Sequence, residues 1–446
     1  MKSVVVLALL AGFLNFGAPL SAQPPAQSAA QSSDSGDRYH GQQAVKLSSD
    51  CTIKDLPQGF SRIFISFLAN ASKSNTPATG HQAGSGTAKD PYDGSTAEKF
   101  DGILRSRSEA HQQNLIVCIG PGTFETEGTY DFIINVPHKS ARGFTLNTNW
   151  KIHGAGIDRT ILKLVSFFGN PPHLSTGKGE GVVLSTYGDA VSGIEVSDLT
   201  IDDNYPGLKP VATQQGIASL NLEAIHLRAD GGGHWIHRVK VIHAAGEVSE
   251  AFPVWIVSVN NKSPSLNSGN IIEYVTLTDW GGGKCSAIAI ANVTGEVRNN
   301  EVYGYEIGYG AWSVGKSSFH DNIAADTKYG FNIDSEENDG VRIYNNQIIH
   351  PRRWGMVFGG GKRYANFEIV GNTIQINDKS AIGILLQGNV TNALIEKNKF
   401  IADPPATTHD LKTISSKGRG NQGNIERSNQ VVVGNGHPAS HPENQQ

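Results

Sequence analysis

"VRIYNNQIIHPRRWG", residues 341–355, holds two patterns in one stretch. Up to Ile349, apolar side chains alternate around Asn345 and Asn346 as in a strand with a bend. After it the alternation breaks, and His350, Arg352, Arg353 and Trp354 crowd around a proline. The first half reads as scaffold and the second as a loop of groups that bind or react.

The strand half recurs. A six-place frame of apolar, any, any, Asn or aliphatic, any, apolar fits "VSDLTI" from Val196, "IHRVKV" from Ile236, "IEYVTL" from Ile272 and "VRNNEV" from Val297. It also fits "FHDNIA" from Phe319, "IYNNQI" from Ile343, "IVGNTI" from Ile369 and "IEKNKF" from Ile395. The fourth place steps along the chain by 40, 36, 25, 22, 24, 26 and 26 residues. A period settling in the twenties marks a solenoid, whose units bury their apolar faces only by stacking. Fourth and sixth places share parity and point inward. Asn300, Asn322, Asn346, Asn372 and Asn398 therefore stack at one bend and are expected to form an amide ladder.

A second strand follows in most coils, with inward pairs read as Ile225/Leu227, Trp255/Val257, Ile288/Ile290, Trp312/Val314, Phe331/Ile333, Met356/Phe358 and Ile384/Leu386. This places Trp255 and Trp312 in the core. The outward row of that strand, from His226 and Arg228 to Leu385 and Gln387, ranks second as a ligand surface. No segment among these has a helical period, so the reading is all-β: a right-handed parallel β-helix. The whole resembles the pectin-lyase-like superfamily. "GSGTAKDPYDGSTAEKFDGIL" followed by "NLIVCIGPGTF", and then "WKIHGAGIDRTIL", are similar to the first units of bacterial β-helix proteins. Ser95 and Glu98 suggest a capping box, and Ala97, Phe100, Ile103 and Leu104 one apolar face, for a short helix capping the N-terminal end of the coil.

The ends are different. "MKSVVVLALLAGFLNFGAPLSA" reads as a secretory signal peptide over residues 1–22, which implies a secreted protein. Residues 23–46 read as a linker, 47–145 as the cap with the first coils, 146–403 as the parallel β-helix and 404–446 as a polar tail in which "VVVG" could add one strand. The 446 residues are 38% hydrophobic and 17% charged, with 51 glycines and a net charge of -4. That balance gives no basic excess for nucleic acid, and no other run is long enough to span a bilayer. A monomer is expected. Three cysteines, Cys51, Cys118 and Cys285, permit at most one intrachain bridge, and Cys118 reads as a small core residue.

Two places past the sixth position fall Asp203, His243, Asp279, Gly304, Asp326, His350, Ile376 and Ala402. Neighbouring coils lie about 4.8 Å apart, so Asp203 and Asp279 would stand about 9.6 Å apart, a spacing that suits an inverting glycosidase. The competing reading is a plain turn, where Asp is favoured for backbone reasons. His243 and His350 fit that reading less well. Around the column Trp280, Tyr305, Lys328, Arg353 and Trp354 supply aromatic faces and cations for an acidic sugar.

Two chemistries compete. In hydrolysis Asp203, Asp279 and Asp326 divide the acid and base roles with His243 beside them. In β-elimination on a uronate, Arg352, Lys328 or His350 takes the proton, and Arg353 or a calcium ion neutralises the anion. The superfamily resemblance implies either, and a uronate epimerase shares the proton abstraction. Polygalacturonase and pectate-lyase motifs are incomplete: Asp202 and Asp203 give a "DD", but "GGGHWIH" offers only Gly233 and His234, and His237 replaces the Asp of a "WIDH". The rival is a non-catalytic glycan-binding or structural β-helix.

Overall fold

In every frame the third residue takes a left-handed backbone. Asp198, Arg238, Tyr274, Asn299, Asp321, Asn345, Gly371 and Lys397 all have φ between 51° and 67°. This turn, which Asn, Asp and Gly tolerate best, lets the chain bend once per coil. The computed structural model describes residues 49–434, apart from 68–83, 131–141, 172–173, 187–190, 229–230, 245, 248–251, 259–267, 280–285, 335–336, 360–362 and 418–419. The signal-peptide and linker readings lie outside these residues.

The bend divides one long sheet into two columns of parallel strands. Gly295–Arg298, Ser318–His320, Arg342–Tyr344 and Glu368–Val370 stand in the first; Glu301–Tyr303, Ile323–Ala325, Gln347–Ile349 and Thr373–Ile376 in the second. Earlier coils run through both as single strands, Glu195–Asp202, Trp235–Ala244 and Asn270–Asp279. Register follows the frame: Val302, Ala324, Ile348, Ile374 and Phe400 pair in succession. A second sheet runs from Thr145–Leu146 to Lys412–Ser416, and a third holds Glu337–Asp339, Arg363–Ala365 and Val390–Thr391. The architecture is a right-handed parallel β-helix. Inward residues of the coils form one continuous apolar core.

The amide ladder is present and longer than expected. Each Nδ2 donates to the Oδ1 of the next coil from Asn300 through Asn322, Asn346, Asn372 and Asn398 to Asn429, at 2.9–3.1 Å. Strand pairing also continues past residue 403, where a polar tail was expected: Lys412–Ser416, Ile425–Arg427 and Gln430–Val433 complete a further coil.

Three sequence expectations need correction. Trp255 pairs with His226, and Trp312 with Asp334, on the outer face of the second sheet; Val254, Ile256, Tyr309 and Ala311 fill the core instead. Stretches of the outer face of that sheet are apolar as well, with Ala289, Val357 and Leu385 buried outside, so alternation could not fix the phase there and a one-residue slip exchanges the faces. The helix Ala97–Glu109 is capped by Thr96, whose side chain accepts from Lys99 N at 3.3 Å, not by Ser95. Its Phe100 packs on Phe124 and Phe144 of the first coils. Finally, Cys118 forms a disulfide with Cys51. It lies on the outer side of Leu115–Ile119 with Ile116, where the short helix Ser49–Thr52 covers it. Cys285 lies outside the described residues. No helix among the described residues is long and apolar enough to cross a membrane.

Candidate functional site

The strands Glu195–Asp202 and Trp235–Ala244 end together at a corner, beyond which the chain crosses through the helix Tyr205–Gln214 to the second sheet. Asp202 faces outward there. Its Oδ1 accepts from Asn204 N at 2.8 Å and lies 2.8 Å from His243 Nδ1. Asp203 keeps inward parity and is 0% exposed. Neither of its carboxyl oxygens has a hydrogen-bond partner among the described residues. Burial first, then the neighbouring Asp202 and Glu223, push its pKa well above the ordinary carboxylate range, which favours its protonated form.

Glu223 comes from the facing strand Ser219–Arg228. Its Oε2 lies 2.6 Å from His226 Nδ1, a contact that strict alternation would forbid at a separation of three. A bulge allows it: Ala224 and Ile225 both donate to Pro253 O, at 3.0 and 2.9 Å. Arg228 Nε donates to His226 Nε2 at 3.3 Å, which leaves the His226 proton on Nδ1, toward Glu223. Next to this, Glu247 accepts from Tyr205 Oη at 2.8 Å, Lys209 Nζ at 2.6 Å and Leu220 N at 2.8 Å. The Tyr205 hydroxyl is shifted upward by burial, by Glu247 and by the charge of Asp279, which faces the same corner. Of the predicted residues, Asp203 and His243 thus meet here through Asp202, and Asp279 acts on Tyr205 only by its charge. Sequence reasoning noted the "DD" but missed the parts of Asp202, Glu223, His226 and Glu247; the separation of three between Glu223 and His226 hides them from a period-two reading.

The column positions themselves behave as a turn. His243, Asp326 and His350 have φ of 54°, 52° and 50°, and Gly304 of 85°. Histidine shares with Asn and Asp an enrichment at positive φ, so the histidines do not argue against a turn as expected. His243 also leaves the column: a shift of register pairs Asp279 with Ala244. Farther along, His350 Nε2 lies 3.1 Å from Asp403 Oδ2 and its Nδ1 3.8 Å from Asp326 Oδ1, a string separate from the first corner. Five coil steps, about 24 Å along the axis, separate the coils of Asp203 and His350.

The predicted cations and aromatics divide in the same way. Arg352 donates to Gly304 O and Tyr305 O, both at 3.2 Å. Lys328 Nζ lies 2.6 Å from Glu306 Oε1; burial alone would lower its pKa, but Glu306 outweighs this and raises it. Tyr305 turns inward and is fully buried, so it does not reach a ligand. Exposed Arg353 stacks over Trp354 at 4.3 Å and donates to Tyr329 Oη at 3.2 Å, while Trp354 stacks on Tyr329 at 4.8 Å. Trp354 packs its other surface on Val357, Ile382 and Leu385. Trp280 lies outside the described residues.

No protein-family model matches this chain, and no curated protein matches it by sequence. Among solved structures, the A-module of Azotobacter vinelandii mannuronan C-5 epimerase AlgE4 is similar at 14% identity and a TM-score of 0.42, covering 75% of this chain and 91% of that one. The tailspike protein of E. coli bacteriophage HK620, in complex with a hexasaccharide, gives 12% identity and a TM-score of 0.48, over 76% of this chain and 63% of its own. An exopolygalacturonase from Thermotoga maritima gives 11% and 0.42, over 76% and 87%.

Proposed function

We propose that this chain is a secreted polysaccharide-acting enzyme whose acid–base unit is the Asp202–His243 pair, with Asp203 the neutral acid behind it. Asp203 carries the argument. A carboxyl buried without a hydrogen bond costs stability that a leucine there would not, and such perturbed groups cluster at reacting sites. It touches no solvent, so it acts as a positioning residue: it keeps a second negative charge away from Asp202 while His243, 31% exposed in its side chain, faces outward.

Hydrolysis fits this corner better than β-elimination. Arg352 is spent on two carbonyls and Lys328 is held charged by Glu306, which leaves both poor proton acceptors. The hydrolytic reading has no calcium in it; calcium belongs to the elimination reading. A polymer lying along the axis would reach a platform, the exposed Arg353 with the half-buried Tyr329 and Trp354 beside it, which suits an acidic sugar by charge and by aromatic contact. That platform also supports the second reading, a glycan-binding β-helix without catalysis.

The test is incubation of the purified mature chain with neutral and acidic polysaccharides, with calcium or with a chelator, following reducing ends and absorbance of unsaturated uronate. Reducing ends without absorbance, lost by about 100-fold or more in His243→Ala and Asp202→Asn, are the expected result. Full activity in His243→Ala would end the assignment of the pair. Absorbance with reducing ends would establish elimination, and binding without cleavage the second reading.

A further inference from the structure

A second cluster lies on the outer face of the first column, away from the Asp202 corner. His153, Ser197 and His237 follow one another in register on successive coils. His153 is 1% exposed, and its Nδ1 lies 2.7 Å from Ser197 Oγ. Ser197 gives its hydroxyl hydrogen to Asp198 Oδ2 at 2.8 Å, and Asp198 is clamped by Arg238 through Nε at 2.6 Å and Nη2 at 2.8 Å. A hydroxyl has one hydrogen, so Ser197 accepts from His153; Nδ1 carries the ring proton and Nε2 presents a bare lone pair.

That lone pair is buried and has no hydrogen-bond partner among the described residues. It is aimed between two carboxylates, 3.6 Å from Asp50 Oδ2 and 3.9 Å from Glu195 Oε1. One ligand atom from each residue lies within 4.8 Å of the others. A tetrahedral ion with bonds of about 2.0–2.1 Å sets its ligand atoms about 3.4 Å apart, so small side-chain movements would close the set. The chain from Nδ1 through Ser197 to Asp198 is the outer support that orients a metal-binding imidazole. His237 Nε2, 3.1 Å from Glu195 Oε1, holds that carboxylate in place. Lys151 Nζ now sits 2.7 Å from Asp50 and 3.2 Å from Glu195, on a side chain that reaches solvent.

We propose that Asp50, His153 and Glu195 form a binding site for a divalent transition metal of the zinc class, in which Lys151 is a displaceable stand-in cation. An imidazole beside two carboxylates selects such ions over calcium or magnesium, which favour all-oxygen sets. Asp50 belongs to this site because of the disulfide: Cys118 pairs in register with His153, and its bond to Cys51 seats the adjacent Asp50 over the imidazole.

The experiment is calorimetric titration of the metal-stripped full chain with zinc chloride, with calcium chloride as the contrast, and the visible spectrum of the cobalt(II) form. One equivalent of zinc and a tetrahedral cobalt spectrum are expected. His153→Ala should weaken zinc by about 100-fold or more, and Lys151→Met, which removes the competing cation, should tighten it by about 10-fold. Absence of zinc binding in both the parent and Lys151→Met would overturn the proposal. So would zinc binding that His153→Ala leaves unchanged, or a preference for calcium.

Discussion

Asn345 and Asn346 are adjacent and chemically identical, yet they answer to different demands. Asn345 supplies the left-handed corner at φ 56°. Asn346 is fully buried: its Nδ2 donates to Phe319 O at 3.0 Å and Asn372 Oδ1 at 2.9 Å, and its Oδ1 accepts from Asn322 N and Nδ2, both at 3.0 Å. Asn346→Asp removes the donors and introduces a buried charge, so it should cost on the order of 3 kcal/mol, read from urea unfolding, while Asn345→Gly should cost little. Sequence spacing alone exposed the ladder, because identical polar side chains recurring at one period, on inward parity, can satisfy their amides only by stacking. Asp203 was legible as a column residue but not as a buried one, since its exposure depends on the facing strand. Its folded pKa lies above the unfolded value near 3.8, so its contribution to stability is complete below that value and is lost as pH rises toward the folded pKa. Asp203→Asn stays neutral throughout. Relative to the parent it should therefore gain stability above pH 4, by up to about 1.4 kcal/mol per pH unit, measured as denaturation midpoints across pH.

At the scale of the element, phase was the quantity that sequence could not supply. The first column has one apolar and one polar face, and its register was readable to the residue. The second sheet carries apolar side chains on stretches of both faces, and there the expected phase puts Trp255 and Trp312 on the wrong side. A column of glycines marks where this second strand begins: a Cβ on Gly330 would stand 2.5 Å from Gly355 O, and one on Gly355 2.5 Å from Gly383 O. Gly355→Ala should thus cost about 1–3 kcal/mol through displaced coils, visible in the melting temperature, with Tyr329–Trp354 stacking disturbed in near-ultraviolet dichroism. The bulge that joins Glu223 to His226 belongs to this scale too. Its signal is an acid and a histidine separated by three residues in a strand, which reads as an error in alternation until the bulge is known.

For the whole molecule, repetition made the fold readable, while the corner that gathers Asp202, Asp203, Glu223 and His243 draws on residues from neighbouring coils and from two sheets. Such convergence depends on loop lengths and bulges, so only fragments of it stood out in one dimension. The disulfide is the long-range staple at the start of the stack, closing a separation of 67 residues. The paired substitution Cys51→Ser with Cys118→Ser should cost about 4 kcal/mol by chain entropy, measured by guanidinium unfolding, with the first coils losing amide protection before the rest. The ladder has one further property: its amide-to-amide bonds all point one way, while the second hydrogen of each Nδ2 goes back to a backbone carbonyl of the coil before. The backbone N–H and an amide hydrogen of each asparagine are received by the oxygen of the coil that comes later in the chain, beginning with Val275 N on Asn300 Oδ1 and ending at Asn429. A growing stack therefore shows asparagine hydrogens on its newest face, which wait for an oxygen from the next turn, beside a carbonyl that takes that turn's remaining amide hydrogen. For a chain made from its amino end, assembly has a built-in direction: each turn lands on a surface already prepared for it, like courses of brick laid upward.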